Sequence, residues 1–564
     1  MSLAVANRWA APGLRRGGRT RSVLCGVLSV LLAASGCTTA PHSNLIDWVH
    51  NGLKVGPNYC PPSAPVSSNW IDAADGRVRV DPAQDCAWWT VFNDATLDGL
   101  IESAYRQNLD LRAAGARILE SRAQRNIAIG NLFPQTQNAQ ANYVHGQISK
   151  NLGLPVPSPL NVWADGFNLS WEIDFWGQYR RQVEAAEADL NASNEAYGDT
   201  LVMLLSEVAT NYVQLRTYEQ RLKFARENVE IQKRTLGLAE DRWKTGRSTE
   251  LDVRQARTSL SQTEALIPPL VAGRRQAGNQ ICVLLGMAVR DFAAEMVSGP
   301  IPSAAKEVAV GVPADLVRRR PDVRRAEQQV AAQSARIGVA EADLYPQLAI
   351  NAFVGFIGND FRQLFESSSY TGLFFPSLTW KILNYGRVTN NIKLQDARLD
   401  EAVYQYQQSA LNAGREAEDA LIGFLQAQEQ AARLEKAVSD AQRSVELVTL
   451  QFEGGVTDFN RVFQTQTTLV NLQDQLATTR GNIALNLIQL YKALGGGWLC
   501  FCDNQGLPPA PAVQASFGGP KPASSVPPAP VVPPAQPASQ TQPASLPQAA
   551  PAQQHSSAPA PSNQ

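Results

Sequence analysis

Histidines, cysteines and paired carboxylates are where a chain does chemistry, so their spacing comes first. The four histidines, His42, His50, His145 and His555, are scattered. No two stand four apart and none begins a His–Glu motif, so they do not make the ligand set of a catalytic metal centre. No GxxxxGK[ST], GxSxG or GxGxxG stands at a strand–helix junction, so neither phosphate binding nor an activated serine is written here. No enzyme and no cofactor is expected. Fifty basic against 51 acidic residues leave no surplus to neutralise phosphates, which sets nucleic acid aside as a partner.

The cysteines carry more information. Arg15, Arg16, Arg19 and Arg21 precede an apolar run, Val23 to Ala34, too short to span a bilayer as a permanent helix. That is the layout of a secretory signal, and it closes in "ASGCTTA". Small residues before a cysteine resemble the lipobox of bacterial lipoproteins, in which the thiol is diacylated and the cysteine becomes residue one. Cys37 is therefore the expected lipidation site and residues 1–36 the signal peptide. Ala34 stands where the box usually has Leu, and an ordinary cleaved signal is the alternative. Two or three acyl chains anchor stably where one does not. Thr38 after the cysteine, rather than Asp, resembles sorting to the outer membrane. Cys282 lies in "QICVLLG", an apolar helical face, and is expected as a buried thiol. Cys60, Cys86, Cys500 and Cys502 could form two disulfides in any of three pairings in an exported chain.

Positioning elements come from an internal duplication. "LSWEIDFWG" (169–177) returns as "LTWKILNYG" (378–386), 209 positions on. Upstream, "DLRAAGARILESRAQRNIAIGNLFPQ" (110–135) aligns with "DVRRAEQQVAAQSARIGVAEADLYPQ" (322–347). Downstream, "KTGRSTELDVRQARTSL" (244–260) aligns with "EGGVTDFNRVFQTQTTL" (453–469), Gly246 meeting Gly455. Each half reads helix, Pro stop, two extended stretches, long helix, Gly break, long helix. The expected domains are a lipid-anchored extended segment (37–87), a first repeat (88–300), a second repeat (301–500) and a tail (501–564). The tail is rich in Pro, Ala and Gln, and Lys521 is the one charge after residue 506, so it is expected to be disordered.

The long helices carry apolar residues every seven positions: Leu201, Val208, Leu215, Leu222, Val229, Leu236 and Trp243, then Ala410, Ala417, Phe424, Ala431, Val438, Val445 and Phe452. That register predicts antiparallel coiled coils. Taken alone, the helices fit a soluble coiled-coil scaffold. The extended stretches alternate instead. Phe167, Leu169, Trp171, Ile173 and Phe175 share one parity, with Gly166, Asn168, Ser170, Glu172 and Asp174 on the other. Leu378, Trp380 and Ile382 repeat the pattern against Ser377, Thr379 and Lys381. Strands are expected at about 136–148, 163–175, 347–358 and 372–383, long enough to cross hydrocarbon when tilted. A half-buried soluble sheet gives the same alternation. Four strands leave two unpaired edges, which hydrocarbon does not tolerate, so a membrane sheet of this size must be completed by further copies.

With these elements placed, "VGPNY" (55–59), "WEIDFWG" (171–177), "RRPDV" (319–323) and "LYPQ" (344–347) resemble the signatures of the TolC-like outer membrane factors, in the OprM-like lipoprotein branch of RND-type multidrug efflux systems. The resemblance covers about residues 37–500. It implies a mainly α chain with a small β part, whose coiled coils form a trimeric α-barrel and whose four strands contribute to a 12-stranded transmembrane β-barrel. It further implies a homotrimer in outer membrane lipid, joined to a periplasmic adaptor and an inner-membrane RND-type pump. Leu169, Trp171, Ile173, Leu378, Trp380 and Ile382 would face lipid. Gly246 and Gly455 would turn the helical hairpins at the tunnel's periplasmic tip. Family members carry carboxylates after these turns, and Asp252 matches the first. Arg461 and Gln464 stand where the second repeat usually has Asp. Asp252 and Arg461 occupy equivalent positions with opposite charge and are expected to pair, within or between protomers, as a periplasmic gate. The expected function is passive drug efflux. An exit channel for type I protein secretion and a non-conducting envelope lipoprotein are the alternatives.

Overall fold

The computed structural model describes residues 45–79, 86–147, 149, 151, 159–303 and 306–498. The signal peptide, Cys37, Cys500, Cys502 and the tail lie outside the described residues.

The duplication is visible in helix length. In the first repeat α3 (Leu109–Gly130), α4 (Gln178–Lys244) and α5 (Glu250–Leu284) have 22, 67 and 35 residues. In the second, α8 (Pro321–Ala342), α9 (Arg387–Glu453) and α10 (Phe459–Ala493) have 22, 67 and 35 as well. A 67-residue helix is a rod of about 100 Å at 1.5 Å per residue. Shorter elements fill the spaces: α1 (Leu45–His50), β1 (Val78–Arg79), α2 (Ala95–Gln107), α6 (Phe292–Glu295), β4 (Val308–Ala309) and α7 (Asp315–Arg319).

The seven-residue register is buried where it packs. All seven second-repeat positions from Ala410 to Phe452 are buried, and so are Leu201, Val208, Leu215, Leu222 and Val229 of the first. Leu236 is half-buried and Trp243 is exposed, so the first stripe runs out before its helix does. Midway along the rods, α4, α9 and α10 share one apolar cluster that includes Leu205, Val208, Leu421, Phe424, Leu487 and Ile488. Each fully buried side chain of this size contributes about 1.5–3 kcal/mol. Strand β1 pairs in parallel with β4, Val78 opposite Val308, and ties the N-terminal segment to the linker between repeats.

Four antiparallel strands lie in the order β2 (Thr136–Gly146), β3 (Leu160–Ile173), β5 (Gln347–Gly358), β6 (Tyr370–Thr379). The last ends four residues before the expected 383. Thr379 already faces Gln347, the first residue of β5, so residues 380–383 have no ladder to join. Trp380 and Ile382 therefore lie beyond the strand rather than within it.

Cys282 is a fully buried free thiol. Cys86 is disulfide-bonded, whereas Cys60 is free and exposed; each of the three expected connectivities uses Cys60, so the expectation of two disulfides is corrected. Among the described residues no helix is long and apolar enough to cross a membrane.

Candidate functional site: the open sheet, its collar and the hairpin tip

The register sorts the sheet into two unlike faces. Phe167, Leu169, Trp171 and Ile173 of β3 stand opposite Val354, Ala352, Ile350 and Leu348 of β5. These in turn face Gly372, Phe374, Pro376 and Leu378 of β6. Phe374 and Leu378 are 70% and 62% exposed, and Phe167 and Val354 are exposed too. So wide an uncovered apolar face is not a water-facing surface. The opposite face carries a polar ladder. Ser170 donates to Asn351 Oδ1 at 2.8 Å, and Asn351 donates to Ser377 Oγ at 3.1 Å. That ladder shares its face with Phe353, Leu373 and Phe375, so the polar character is confined to part of it, while the uncovered apolar face suits hydrocarbon and β2 and β6 keep unpaired edges.

The nine-residue phrase joins this sheet to the rods. Trp171 Nε1 donates to Leu132 O at 3.2 Å, and Trp380 Nε1 donates to Leu344 O at 2.9 Å. In both repeats the recurring tryptophan thus satisfies a carbonyl left over where the preceding helix stops. The recurring glycine precedes each long helix with positive φ, 85° at Gly177 and 80° at Gly386, where a side chain would be strained. Of the expected lipid-facing residues, Leu169, Trp171 and Ile173 are half-buried, whereas Leu378, Trp380 and Ile382 are exposed.

A strap covers the first of these junctions. Val55 N–H donates to Trp176 O, and Trp48 packs on Phe175 and Trp176 with ring centroids 5.3 and 5.4 Å away. Arg180 donates to the carbonyls of Gly52 and Leu53, and Arg181 to those of Val55 and Gly56. Gly56 passes so close to α8 that a Cβ there would lie 2.3 Å from Gly338 Cα. The "VGPNY" signature is a backbone run held between α4 and α8.

At the far end the hairpins turn at Gly246 and Gly455, with φ of 71° and 74°. Arg247 N–H reaches Arg242 O and Val456 N–H reaches Gln451 O, the long bonds that close a helix through a left-handed glycine. Asp252 does not meet Arg461 within the protomer. Its Oδ2 accepts from Thr249 N–H at 2.9 Å and from Ser248 Oγ at 2.6 Å, while Thr249 Oγ1 accepts from Asp252 N–H, a reciprocal cap on α5. Burial alone would raise this carboxyl, but the bonds from Ser248 and Thr249 outweigh it and hold it below the usual range. Arg461 and Gln464 are exposed. The in-protomer gate pair is thus corrected: the local backbone satisfies Asp252 before Arg461 can.

Arg242 joins the two hairpins instead. Its guanidinium donates to the carbonyls of Phe452 and Glu453 at the end of α9 and lies 5.0 Å from the centroid of the Phe452 ring. A cation suits those leftover carbonyls. Beneath it Ala239, Val253, Val448, Phe452, Phe459 and Val462 form an apolar plug shared by both hairpins. Sequence reasoning missed Arg242 because its partners are main-chain carbonyls, which leave no complementary residue type to notice.

The family model for the outer membrane efflux protein matches residues 100–287 and again 312–496, one match per repeat. The chain belongs to that family. Nodulation protein T of Rhizobium leguminosarum bv. trifolii is 30% identical over 456 residues, covering 79% of this chain and 95% of that one. Cation efflux system protein CusC of Escherichia coli O6:H1 is 27% identical, covering 79% of this chain and 96% of its own. The solved outer-membrane channel OprN superposes with a TM-score of 0.73 at 29% identity, over 79% of this chain and 99% of that one. The resemblance to TolC-like channels holds. This is an outer membrane efflux protein, mainly helical with a small sheet, in a family of channels rather than enzymes.

Proposed function

We propose that the chain is the exit duct of a tripartite efflux system: a homotrimer whose sheets close a 12-stranded barrel in outer membrane lipid and whose rods form a periplasmic tunnel. The carrying observation is the four-stranded sheet with a wide uncovered apolar face and two open edges. Neither edge is tolerated in hydrocarbon, so closure needs further copies. A periplasmic adaptor joins the duct to an inner-membrane RND-type pump that supplies the energy. Cys37 adds a lipid anchor beside the barrel, and Leu169, Trp171, Ile173 and Leu378 face lipid, with Trp380 and Ile382 in the collar below them.

Relatives named for cations, for pyoverdine and for toluene support leaving cargo selection to the pump. Those names also favour efflux over type I protein secretion. Closure of the tip rests on Arg242, with Asp252, Arg461 and Gln464 set towards neighbouring copies. The test is ion conductance of the purified protein in planar bilayers together with heat-modifiable migration on gels. Discrete conductance steps from a heat-dissociable trimer are expected. Non-conducting monomers in detergent would overturn the proposal.

A further inference from the structure

The two repeats meet within one chain, and that meeting gives the geometry of the next. Trp176 of the first repeat donates through Nε1 to Pro346 O of the second at 2.8 Å and stacks on Tyr345, ring centroids 4.5 Å apart and 22° from parallel. In the duplication Trp176 corresponds to Tyr385, each standing just before its left-handed glycine, and Tyr345–Pro346 corresponds to Phe133–Pro134. These counterparts do not meet in the protomer. Tyr385 is 93% exposed and Phe133 is 63% exposed. Tyr385 also holds a φ of 50°, unusual for a residue with a side chain.

The strap that covers the first junction is not available to the second. Arg180, Arg181 and Glu184, which hold strap residues, correspond to Thr389, Asn390 and Lys393, and Asp174 corresponds to Leu383. Leu383 is 80% exposed. The second junction keeps the apolar surface without the groups that would fasten a backbone over it.

We infer that Tyr385 of one copy stacks on Phe133 of a second copy of this chain and donates its phenol hydroxyl to Pro134 O there, repeating between chains the in-chain joint of Trp176. The inference rests on the trimer proposed above and gives its interface an address. The sheet supplies an independent check. Leu169 faces Gln137 in the first repeat and Leu378 faces Leu348 in the second, so within the strands the ladders, one residue out of step with the Gln135–Gln347 alignment, make Gln137 the counterpart of Leu348 and Ala141 that of Ala352. Since Leu169 also faces Ala352 across the repeats, Leu378 of one copy faces Ala141 of the next, Pro376 faces Tyr143 and Phe374 faces His145. This register sets Ala141 and Tyr143 beside the apolar face, with His145 at its end, whereas a slip of one residue would set Gln140 and Asn142 there. Further down, the ion pair of Arg324 with Glu195 has Arg112 and Tyr404 as counterparts, both exposed, a guanidinium and an aromatic ring suited to each other.

The experiment uses the full chain in detergent with Cys60→Ser as background. Phe133→Cys and Tyr385→Cys are combined in one chain, and Ala141→Cys with Leu378→Cys in another, each treated with a short thiol cross-linker. Covalent dimers and trimers from the first pair, absent from either single variant, are expected. A trimer by light scattering that links through 141 and 378 but not through 133 and 385 overturns the junction contact and leaves the duct standing. A trimer that links through neither overturns the whole interface address. Monomers by light scattering overturn both the inference and the trimer. Tyr385→Ala and Tyr385→Trp guard against misfolding of the cysteine variants. The alanine should lower the temperature at which trimers dissociate on gels, and the tryptophan should keep or raise it. Equal dissociation in wild type and both variants also overturns the contact.

Discussion

The two repeats fasten the same joint with different chemistry. Where α3 begins, Asn108 donates through Nδ2 to Leu284 O at the end of α5 and accepts from Leu111 N–H. Where α8 begins, its counterpart Arg320 donates to Ala493 O at the end of α10, and also to Asp322 and Glu416. Leu284 and Ala493 are themselves counterparts, so a neutral amide and a guanidinium serve the same leftover carbonyl. The fold constrains the backbone groups that must be satisfied and leaves open which side chain does so. It also explains the "RRPDV" signature: Arg320 supplies the bond, Pro321 begins α8 at a position that needs no N–H, and Asp322 balances the charge.

The comparison breaks most visibly at Arg320. Arg320→Ala leaves the largely buried Asp322 without its cation and should cost about 3 kcal/mol, towards the low end for such pairs. Asn108→Ala loses both of its bonds and strands the two backbone groups they serve, about 2 kcal/mol. Thermal unfolding in detergent, followed by far-ultraviolet circular dichroism, should rank Arg320→Ala below Asn108→Ala and both below wild type. The reverse order would mean that the ion pair contributes nothing beyond the carbonyl bond.

The strap sharpens the contrast, because among the described residues only the first junction has one. Gly338→Ala places a Cβ 2.8 Å from the backbone oxygen of Val55 and 2.9 Å from the Arg181 side chain, pushing the strap outward, and should cost about 1–3 kcal/mol. Limited proteolysis should then cut within residues 45–60 in Gly338→Ala and in Arg181→Ala. Asn390→Ala, at the strapless second junction, should leave that segment protected.

At the tip the asymmetry is that α4 supplies Arg242 and α9 supplies the Phe452 ring and two carbonyls. Arg242→Ala should weaken the hairpin contact by about 1 kcal/mol, a partly exposed guanidinium losing its hydrogen bonds, and should raise single-channel conductance. Asp252→Ala should remove a helix cap and change conductance less. Should Arg461→Ala open the channel more than Arg242→Ala, the tip is held between copies rather than within one.

How far the sequence reached follows from the same physics. The duplication, the rods and strands, and the turns at Gly246 and Gly455 were legible because period seven, period two and positive-φ glycines each leave a residue-type signature. Strand β6 was carried four residues too far because alternation persists through Trp380 and Ile382 where the partner strand has ended. Asp252 looked like one half of an ion pair because opposite charge is visible in a sequence, whereas a capping box formed with Ser248 and Thr249 competes for the same carboxylate. Arg242, Asn108 and Arg320 went unseen as joints because they fasten onto main-chain oxygens.

The smallest expected effect separates the two joints by pH alone. Burial would raise the Asp322 carboxyl, but the Arg320 guanidinium beside it prevails and holds it below the ordinary range. A carboxyl depressed in the folded state contributes stability that is complete above its unfolded value, about 3.9, and is lost as pH falls through the folded value. Wild type should therefore lose thermal stability as pH drops below about 4, and Asp322→Asn should lose less over the same window, its melting temperature starting lower and falling along a shallower line. Glu195, whose carboxyl burial raises, contributes with the opposite sign, but it is present in both proteins and drops out of their difference. Asn108 titrates nowhere in this range, so Asn108→Ala should shift the wild-type acid profile down without changing its slope. Parallel profiles for wild type and Asp322→Asn would mean that Asp322 stays protonation-neutral to folding, and that Arg320 holds its joint through Ala493 O and Glu416 alone.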